Sequence, residues 1–308
     1  MISQNLKKMN KVTLFLKGRK GIECLKAVVE KYTAGIIDQV ITYPDEGELQ
    51  DYAPIIKIYC QENKIDCSVK KDSVGIKTKY TIAIGWRWMI NISKQKQLIV
   101  LHDSILPLKR GFAPLVQSLI SGDGIIGVTA LFAGDEYDSG PVIRQMTAEI
   151  EYPIKINTAI DIMSRLYVNC ALSVMGGIQL DSFAPQEQNN YYATYSVWRD
   201  EDDYEINWND SAENIKRFID AVGYPYKGAS THLKDEGISK IRIFDAEVVS
   251  DLSIIDRENH IGKVFRLDGK AKFPVVICGS GLLRITQGLN VYNKTSIIPF
   301  TALKRRFV

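Results

Sequence analysis

The chain has 308 residues, of which 45% are hydrophobic and 24% charged, a composition typical of a globular protein and unlike that of a disordered or fibrous one. No run of about 18 apolar residues occurs, so the sequence predicts no membrane-spanning helix. The N-terminal residues lack the pattern of a secretory signal, and five scattered cysteines without a CxxC pair indicate reduced thiols. We therefore expect a cytoplasmic protein. A formal net charge of +3 does not by itself indicate a nucleic-acid partner.

The N-terminal part of the chain alternates short apolar runs with amphipathic runs of helical spacing. Strands are predicted at 11–17, 36–43, 65–71, 80–86 and 97–102, and helices at 21–32 and 54–64. This alternation predicts an α/β fold with a mostly parallel, Rossmann-like sheet and helices on both faces. Such a sheet places functional residues just beyond the carboxyl ends of its strands. His102 lies at one such end and Trp86 at another.

The remainder of the chain changes character at a polar segment without periodicity. Before it, the pattern predicts a helix at 113–122, strands at 127–133 and 141–145, and a long helix at 158–177. Residues 183–195 are predicted to contain the linker, which gives domains at 1–184 and 196–308 with 185–195 between them. After a helix at 211–222, capped by Ser211, short strands and turns predict a small antiparallel β-barrel of the OB type.

Only one of the three histidines has a sequence context that indicates a functional role. His232 lies in a predicted strand and His260 in a polar turn, and both are expected at the surface. His102 ends an apolar strand and opens a polar turn. A carboxylate next to such a ring favours its charged form, and Asp138, in the acidic loop that follows 127–133, is the candidate. The spacing in sequence does not by itself bring these two residues together.

Two further segments have both a structural and a functional interpretation. The run GWRWMI (85–90) is either core with an arginine at its edge or the wall of a site for a flat heteroaromatic ligand. The run KGRKG (17–21) is either a βα turn with exposed basic side chains or a phosphate cradle at a helix N-terminus. The second run lacks the spacing of the Walker and GxGxxG motifs, so its phosphate interpretation has little support.

Residues 102–143 carry an ordered set of short motifs. In chain order these are His102, Ser104, Leu106-Pro107, Arg110-Gly111, Gly127-Val128-Thr129 and Asp138-Ser139-Gly140. In order and spacing they resemble the signature of the folate-dependent formyltransferase superfamily, which acts on methionyl-tRNA, glycinamide ribonucleotide and nucleotide-linked aminosugars. The segments 199–222 and 275–285 resemble the C-terminal domain of the tRNA and aminosugar enzymes.

The resemblance implies that an amine receives the formyl group of N10-formyltetrahydrofolate. It implies His102 as the general acid–base, Asp138 as the carboxylate that orients it, and Ser104 as a further catalytic residue. No metal is implied. The residues implied in binding the donor come from the Trp-rich run, the turn after His102 and the acidic loop: Trp86, Arg87, Trp88, Met89, Ile90, Arg110, Gly134, Asp135, Glu136 and Tyr137. The side chains of Asp135 and Glu136 are expected to face solvent.

One position departs from the family pattern. The residue two before the histidine is an asparagine in the family and is Val100 here. That asparagine donates to the developing oxyanion, and removal of such a donor costs roughly 2.7–4 kcal/mol. Three explanations are open: protonated His102 carries the oxyanion alone, Ser104 or a backbone N–H replaces the donor, or activity is weak or absent. Because the remaining motif is intact, we expect a working enzyme.

The charge distribution bears on the identity of the acceptor amine. Residues 200–308 carry 16 basic and 16 acidic side chains, whereas a tRNA-binding domain is expected to be basic. The tRNA enzymes insert a basic loop after the second strand, and the corresponding segment 43–52 is acidic here. The run GWRWMI also looks like that of the sugar enzymes. The leading acceptor is therefore a nucleotide-linked aminosugar.

Other readings of the sequence stay open. The acceptor is alternatively methionyl-tRNA, or an amine of a siderophore or peptide precursor. A non-enzymatic alternative, motivated by Val100, is a degenerate homologue that binds folate without turnover. Hydrolysis of the donor without an acceptor is less favoured. No membrane partner is expected, and the oligomeric state, a homodimer included, is left open.

Overall fold

The computed structural model describes residues 9–44, 50–70, 75–91, 97–234 and 238–308. Its contacts divide the chain into two compact units. The first unit contains residues up to 114 together with 125–149 and 160–197, and the second contains 115–124, 150–159 and 198–308. Within the described ranges, no helix is long and apolar enough to cross a bilayer.

The first unit is built on a seven-stranded sheet. Its strands are β1 (Val12–Leu16), β2 (Ile37–Thr42), β3 (Cys67–Val69), β4 (Tyr80–Ile84), β5 (Gln97–His102), β7 (Ile125–Phe132) and β8 (Val142–Glu149), in the order β3-β2-β1-β4-β5-β7-β8. The strands from β3 to β5 pair in parallel, and β7 and β8 add antiparallel pairs at one edge. All residues of β1 and β4 are buried, as expected for central parallel strands covered on both faces.

The helices of the chain are α1 (Gly18–Tyr32), α2 (Ala53–Glu62), α3 (Pro114–Ser121), α4 (Ile156–Leu180) and α5 (Ala212–Ala221). Helix α1 buries Ile22, Leu25 and Val28, which recur at the spacing of one helical face. The structure extends α4 beyond the predicted end at Gly177. A Cβ at this glycine would lie 2.4 Å from the ring of Phe183, so the glycine makes room for an aromatic side chain rather than ending the helix.

Strand β8 is longer than the sequence pattern predicts. The sequence predicts an end at Gln145, whereas β8 continues to Glu149 because it pairs with β7 as far as Ile125.

Two-residue strands β6 (Arg110–Gly111) and β9 (Tyr195–Ser196) form a separate parallel pair. The polar segment 183–195, predicted as linker, leads into β9 and lies in the first unit.

The second unit contains a six-stranded antiparallel sheet. Its strands are β10 (Ala229–Lys234), β11 (Ile238–Val249), β12 (Val264–Asp268), β13 (Phe273–Ile277), β14 (Leu282–Asn290) and β15 (Arg306–Phe307), in the order β12-β13-β14-β11-β10-β15. The two edges meet, because Phe307 N donates to Gly262 O at 2.8 Å and Val264 N to Arg305 O at 3.0 Å. The sheet therefore closes into a barrel at the start of β12. Together with the mostly parallel first sheet, this confirms the predicted fold class.

The five cysteines are free thiols. Four of them are buried, and only Cys67 is partly exposed. Burial raises the pKa of Cys170 and of Cys278 to about 12, which keeps both thiols protonated at neutral pH. These cysteines pack as small apolar residues.

Gly262 tests the barrel closure. Its φ is +79°, and a Cβ there would lie 2.0 Å from Phe307 O. Gly269 is a matched control, since its φ is +67° and no atom lies within 4 Å of the added Cβ. We expect Gly269→Ala to lower the free energy of unfolding by roughly 1–2 kcal/mol, the cost of a left-handed backbone. Gly262→Ala should lose roughly 1–3 kcal/mol more from overpacking. Equal losses in urea unfolding would contradict the closure.

Candidate active site

The site lies where the parallel strands end. Strands β1, β4 and β5 run side by side, so the residues that follow Leu16, Ile84 and Leu101 share one edge of the sheet. His102 is the last residue of β5 and pairs with Thr129 of the antiparallel neighbour β7. Because the sheet holds the backbone of a strand in place, a side chain at the end of β5 has a better-defined position than one on a loop.

Both ring nitrogens of His102 face an acceptor. Nε2 lies 2.9 Å from the carbonyl oxygen of Lys109, and Nδ1 lies 3.4 Å from Oδ2 of Asp138. The His102 residue is only 7% exposed. Each ring nitrogen therefore has an acceptor in reach of the hydrogen that it carries when protonated.

Asp138 reaches His102 from the loop between β7 and β8. Its Oδ2 also accepts a hydrogen bond of 2.9 Å from the backbone N–H of Gly111. This loop folds back tightly: a Cβ on Gly140 would lie 1.9 Å from Phe132 O, a distance that only glycine tolerates. The pair proposed from the sequence, His102 and Asp138, is thus brought together by two turns that begin at neighbouring strands.

Ser104 serves the turn that follows His102. Its hydroxyl donates to Leu108 O at 2.7 Å, and its carbonyl accepts from the Thr129 hydroxyl at 2.6 Å. Gln145 of β8 donates to Leu106 O at 2.8 Å and to Thr129 Oγ1 at 3.0 Å. These bonds join the turn to two strands of the sheet. The Ser104 hydroxyl is therefore engaged within the turn rather than directed at the histidine ring.

Arg110 is buried beneath the same turn. It is 1% exposed, and its guanidinium donates to the side-chain oxygens of Gln188 and Asn190 at 2.7 and 2.8 Å. The amide nitrogen of Gln188 in turn donates to the carbonyl oxygens of Asp138 and Gly140. Gln188 consequently links the turn after His102 to the loop that carries Asp138. The structure places Arg110 in this internal network.

Aromatic side chains cluster around the residues that follow β4. Trp86 packs edge-on against Phe15 and Trp88, with ring centroids 5.0 Å apart in both pairs, and Trp88 meets Tyr43 at 5.1 Å. The indole N–H of Trp86 is buried and has no hydrogen-bond partner among the described residues. The ammonium of Lys17 lies 4.9 Å from the centre of the Trp88 ring.

The rest of this run borders an open surface. Arg87 and Met89 are exposed, Met89 to 72%, while Ile90 packs against the buried cluster that contains Phe15. On the acidic loop, residues 134–137 are exposed, including the side chains of Asp135 and Glu136 that were expected to face solvent. The ring of Tyr137, 58% exposed, tilts against Phe112 with centroids 5.8 Å apart. Gly134 follows Ala133, which is exposed as well.

Val100 lies two residues before His102, on the same face of β5. It packs against the buried side chains of Phe15, Ile41 and Ala83, together with Trp86 and Ile90. Its position is therefore an apolar one.

The other two histidines have partners in the second unit. His232 Nδ1 lies 2.9 Å from Glu205, and His260 Nδ1 lies 2.8 Å from Lys263.

The basic side chains of the run 17–21 are paired within the protein. Arg19 forms ion pairs with Glu23 and Asp161, and Lys20 forms one with Asp103. These pairs favour the structural interpretation of the run over a phosphate cradle. The acidic segment 43–52 is described only at its two ends, since residues 45–49 lie outside the described residues.

Sequence reasoning missed the groups that hold the site together. The Lys109 carbonyl and the Gly111 N–H are backbone groups, and no side-chain pattern identifies them. Gln188 and Asn190 lay in the segment interpreted as linker. The one signal in that segment is the cluster of amide side chains in QEQNN (186–190). Amides can donate hydrogen bonds to carbonyl oxygens and accept them from a guanidinium.

Two models of known protein families match the sequence of this chain. The family model for formyl transferase matches residues 50–167, and the model for the formyl transferase C-terminal domain matches residues 199–295. The two matches together cover more than half of the chain. The methionyl-tRNA formyltransferase of Thermodesulfovibrio yellowstonii is 27% identical over 245 residues, which span 74% of this chain and 77% of that protein.

Two solved structures share the fold. WlaRD, a sugar 3N-formyl transferase crystallised with dTDP and 5-N-formyl-THF, aligns with a TM-score of 0.64 and 15% identity over 93% of this chain and 99% of its own. HypX from Aquifex aeolicus, in complex with tetrahydrofolic acid, aligns with a TM-score of 0.60 and 18% identity over 94% of this chain. The chain spans only 46% of HypX. By the two family matches, the chain belongs to the formyltransferase family.

Proposed function

We propose that the protein transfers the formyl group of N10-formyltetrahydrofolate to the amine of a nucleotide-linked aminosugar. The observation that carries the proposal is the buried His102 ring, held between the Asp138 carboxylate and the Lys109 carbonyl at the carboxyl edge of the sheet. An imidazole fixed in this way is suited to exchange a proton with a reacting amine.

The roles of the site residues follow from these contacts. The acceptor amine attacks the formyl carbon, the bond between that carbon and N10 of the folate breaks, and the products are a formamide and tetrahydrofolate. The neutral ring of His102 takes the proton that the amine loses, and the protonated ring so formed returns one to the departing nitrogen. Nε2 is the nitrogen that changes partner, exchanging the Lys109 carbonyl for the amine, while Asp138 holds Nδ1. Ser104 and Arg110 position the turn that supplies the carbonyl.

The donor's flat, polar ring system fits the surface beside His102. The loop 134–137 exposes its main chain, and the exposed Met89 offers an apolar contact. The buried indole N–H of Trp86 lacks a partner among the described residues, and a bound acceptor atom would satisfy it. Trp88, Arg87 and the loop would complete the binding surface. When bound, the donor supplies the activated formyl carbon.

Val100 leaves the oxyanion without the donor that the family asparagine would supply. The charged His102 ring and the backbone N–H groups of the turn after it are the candidates that remain near the reacting carbon. The Ser104 hydroxyl is a weaker candidate, because its proton is directed to Leu108 O. We propose that the protonated ring stabilises the oxyanion.

The choice of a small acceptor rests on charge. In the second unit, basic side chains pair with carboxylates of the same unit: Lys216 with Asp220, Lys240 and Arg242 with Glu201, Arg257 with Asp251, Arg266 with Asp268, and Arg284 with Glu247. Side chains neutralised in this way attract phosphates weakly, whereas tRNA binding depends on phosphate neutralisation. WlaRD, which was crystallised with dTDP, also matches this chain over nearly its whole length.

Methionyl-tRNA is the second candidate acceptor. It is favoured by the sequence relatives, since the methionyl-tRNA formyltransferase of T. yellowstonii matches across both family domains at 27% identity. The two candidates differ in their dependence on salt. Association with tRNA weakens steeply as salt rises, whereas binding of a small nucleotide sugar changes little.

Release of tetrahydrofolate identifies the acceptor. The protein is incubated with N10-formyltetrahydrofolate and either buffer, methionyl-tRNA or a pool of nucleotide-linked aminosugars. We expect release only with the sugars, followed by mass spectrometry of the formylated product. Release only with methionyl-tRNA would replace the proposed acceptor, and release in buffer alone would indicate hydrolysis.

Two histidine variants test whether His102 reacts or only forms an ion pair. His102→Gln should lower kcat/KM by about 10²–10⁴-fold, the usual contribution of general acid–base catalysis. His232→Gln is the matched control, because His232 also pairs with a carboxylate, at 2.9 Å, on the barrel. We expect this control to keep wild-type kinetics. Comparable losses in both variants would contradict the role of His102.

Val100→Asn decides between an active enzyme and a degenerate homologue. The new amide would enter the apolar cluster around Phe15 and Ala83, so we expect a loss of roughly 1–3 kcal/mol in the free energy of unfolding. An active wild-type enzyme should gain nothing in kcat from this variant. Activity that appears only in Val100→Asn would support the degenerate, folate-binding alternative.

A further inference from the structure

A cluster of polar side chains around the buried Tyr167 holds the chain on both sides of His102. The side chain of the next residue, Asp103, accepts from Lys20 of α1 at 2.5 Å and from the Tyr167 hydroxyl of α4. The same hydroxyl lies 3.0 Å from the carbonyl oxygen of Leu101, the residue before His102. One phenol therefore contacts the neighbours of the histidine on either side.

The cluster is charged and largely withdrawn from water. Tyr167 is 1% exposed, and the side chains of Lys20 and Asp103 are 18% and 22% exposed. The Lys20 ammonium also lies 4.8 Å from the centre of the Tyr167 ring. Burial by itself would raise the pKa of Asp103, but the Lys20 charge, the hydrogen bonds from Lys20 and Tyr167, and the charge on His102 lower it below its ordinary value.

The Tyr167 hydroxyl is a lasting hydrogen-bond donor in this cluster. Burial and the nearby Asp103 raise the pKa of Tyr167 well above its ordinary value, so its hydroxyl stays a donor. Ion pairs contribute little net stability whether they are exposed or buried, so stability alone does not account for three polar groups at this point.

We propose that Lys20, Asp103 and Tyr167 are positioning residues for His102. They tie the end of β5 to α1 and α4 through the residues on either side of His102. The inference rests on the proposed catalytic role of His102. Its physical basis is that catalysis depends on the exact position of the reacting side chain: a shift of about 1 Å can lower the rate about 10²-fold.

The test compares variants of Lys20 on α1 and Tyr167 on α4 with a control variant on α1. Lys20→Met removes the ion pair to Asp103, and Tyr167→Phe removes only the hydroxyl and keeps the ring. Arg19→Met is the matched control: Arg19 also pairs with a residue of α4, Asp161, and its other ion pair is with Glu23 of its own helix. We expect kcat to fall about 10-fold or more in the first two variants, with KM for the donor changed less than about 3-fold. Lys20→Arg should retain more of kcat than Lys20→Met.

Nuclear magnetic resonance of the histidine rings gives a readout without substrate. The chain has three histidines, so the signals of His102 are assigned by substituting His232 and His260 in turn. Tyr167→Phe and Lys20→Met should shift the His102 ring signals alone, and Arg19→Met should leave them unchanged. This readout decides the proposal even if the protein proves not to transfer formyl groups.

Two outcomes would overturn the positioning role. In one, Lys20→Met and Tyr167→Phe keep both the wild-type kcat and the wild-type ring signals. In the other, Arg19→Met lowers kcat and shifts the ring signals as much as Lys20→Met does, which would make the effect one of general helix stability.

Discussion

The site depends on one carboxylate oxygen with two partners. Asp138 Oδ2 faces the His102 ring at 3.4 Å and accepts from the Gly111 N–H at 2.9 Å. These contacts join the loop between β7 and β8 to the turn that leaves β5, and Gln188 makes a second link between the same two segments. The carboxylate therefore orients the ring and fixes the turn whose Lys109 carbonyl meets the other ring nitrogen.

Much of the first unit follows from the sequence. Strands β1 and β4 are apolar runs because both faces of a parallel sheet are buried, and the end of the neighbouring β5 places His102 at the functional edge. The motif order from His102 to Asp138 identifies the family as well as the two residues that face each other. The barrel follows from short strands separated by turns, although its closure at Gly262 depends on a contact far along the chain.

The remaining features required the folded chain. Gly177 looks like a helix end, but tertiary packing of Phe183 decides its role. Arg110 carries a family motif that implies ligand binding, yet its guanidinium is buried against amides from a segment without periodicity. Lys20 and Asp103 are 83 residues apart, and only the sheet topology brings β1 and β5 close enough for their following residues to pair. A contact between two single side chains far apart in the chain produces no repeating pattern in the sequence, so such contacts could not be predicted from it.

The most direct measurement follows the formyl group itself. With the formyl carbon of N10-formyltetrahydrofolate labelled with ¹³C, nuclear magnetic resonance distinguishes a label that stays on the donor, passes to an amine or leaves as formate. In the presence of a nucleotide-linked aminosugar, the label should move to a sugar formamide in the wild-type protein and stay on the donor in His102→Gln. A label that remains on the donor, or appears as formate, in the wild-type protein would contradict formyl transfer by this site.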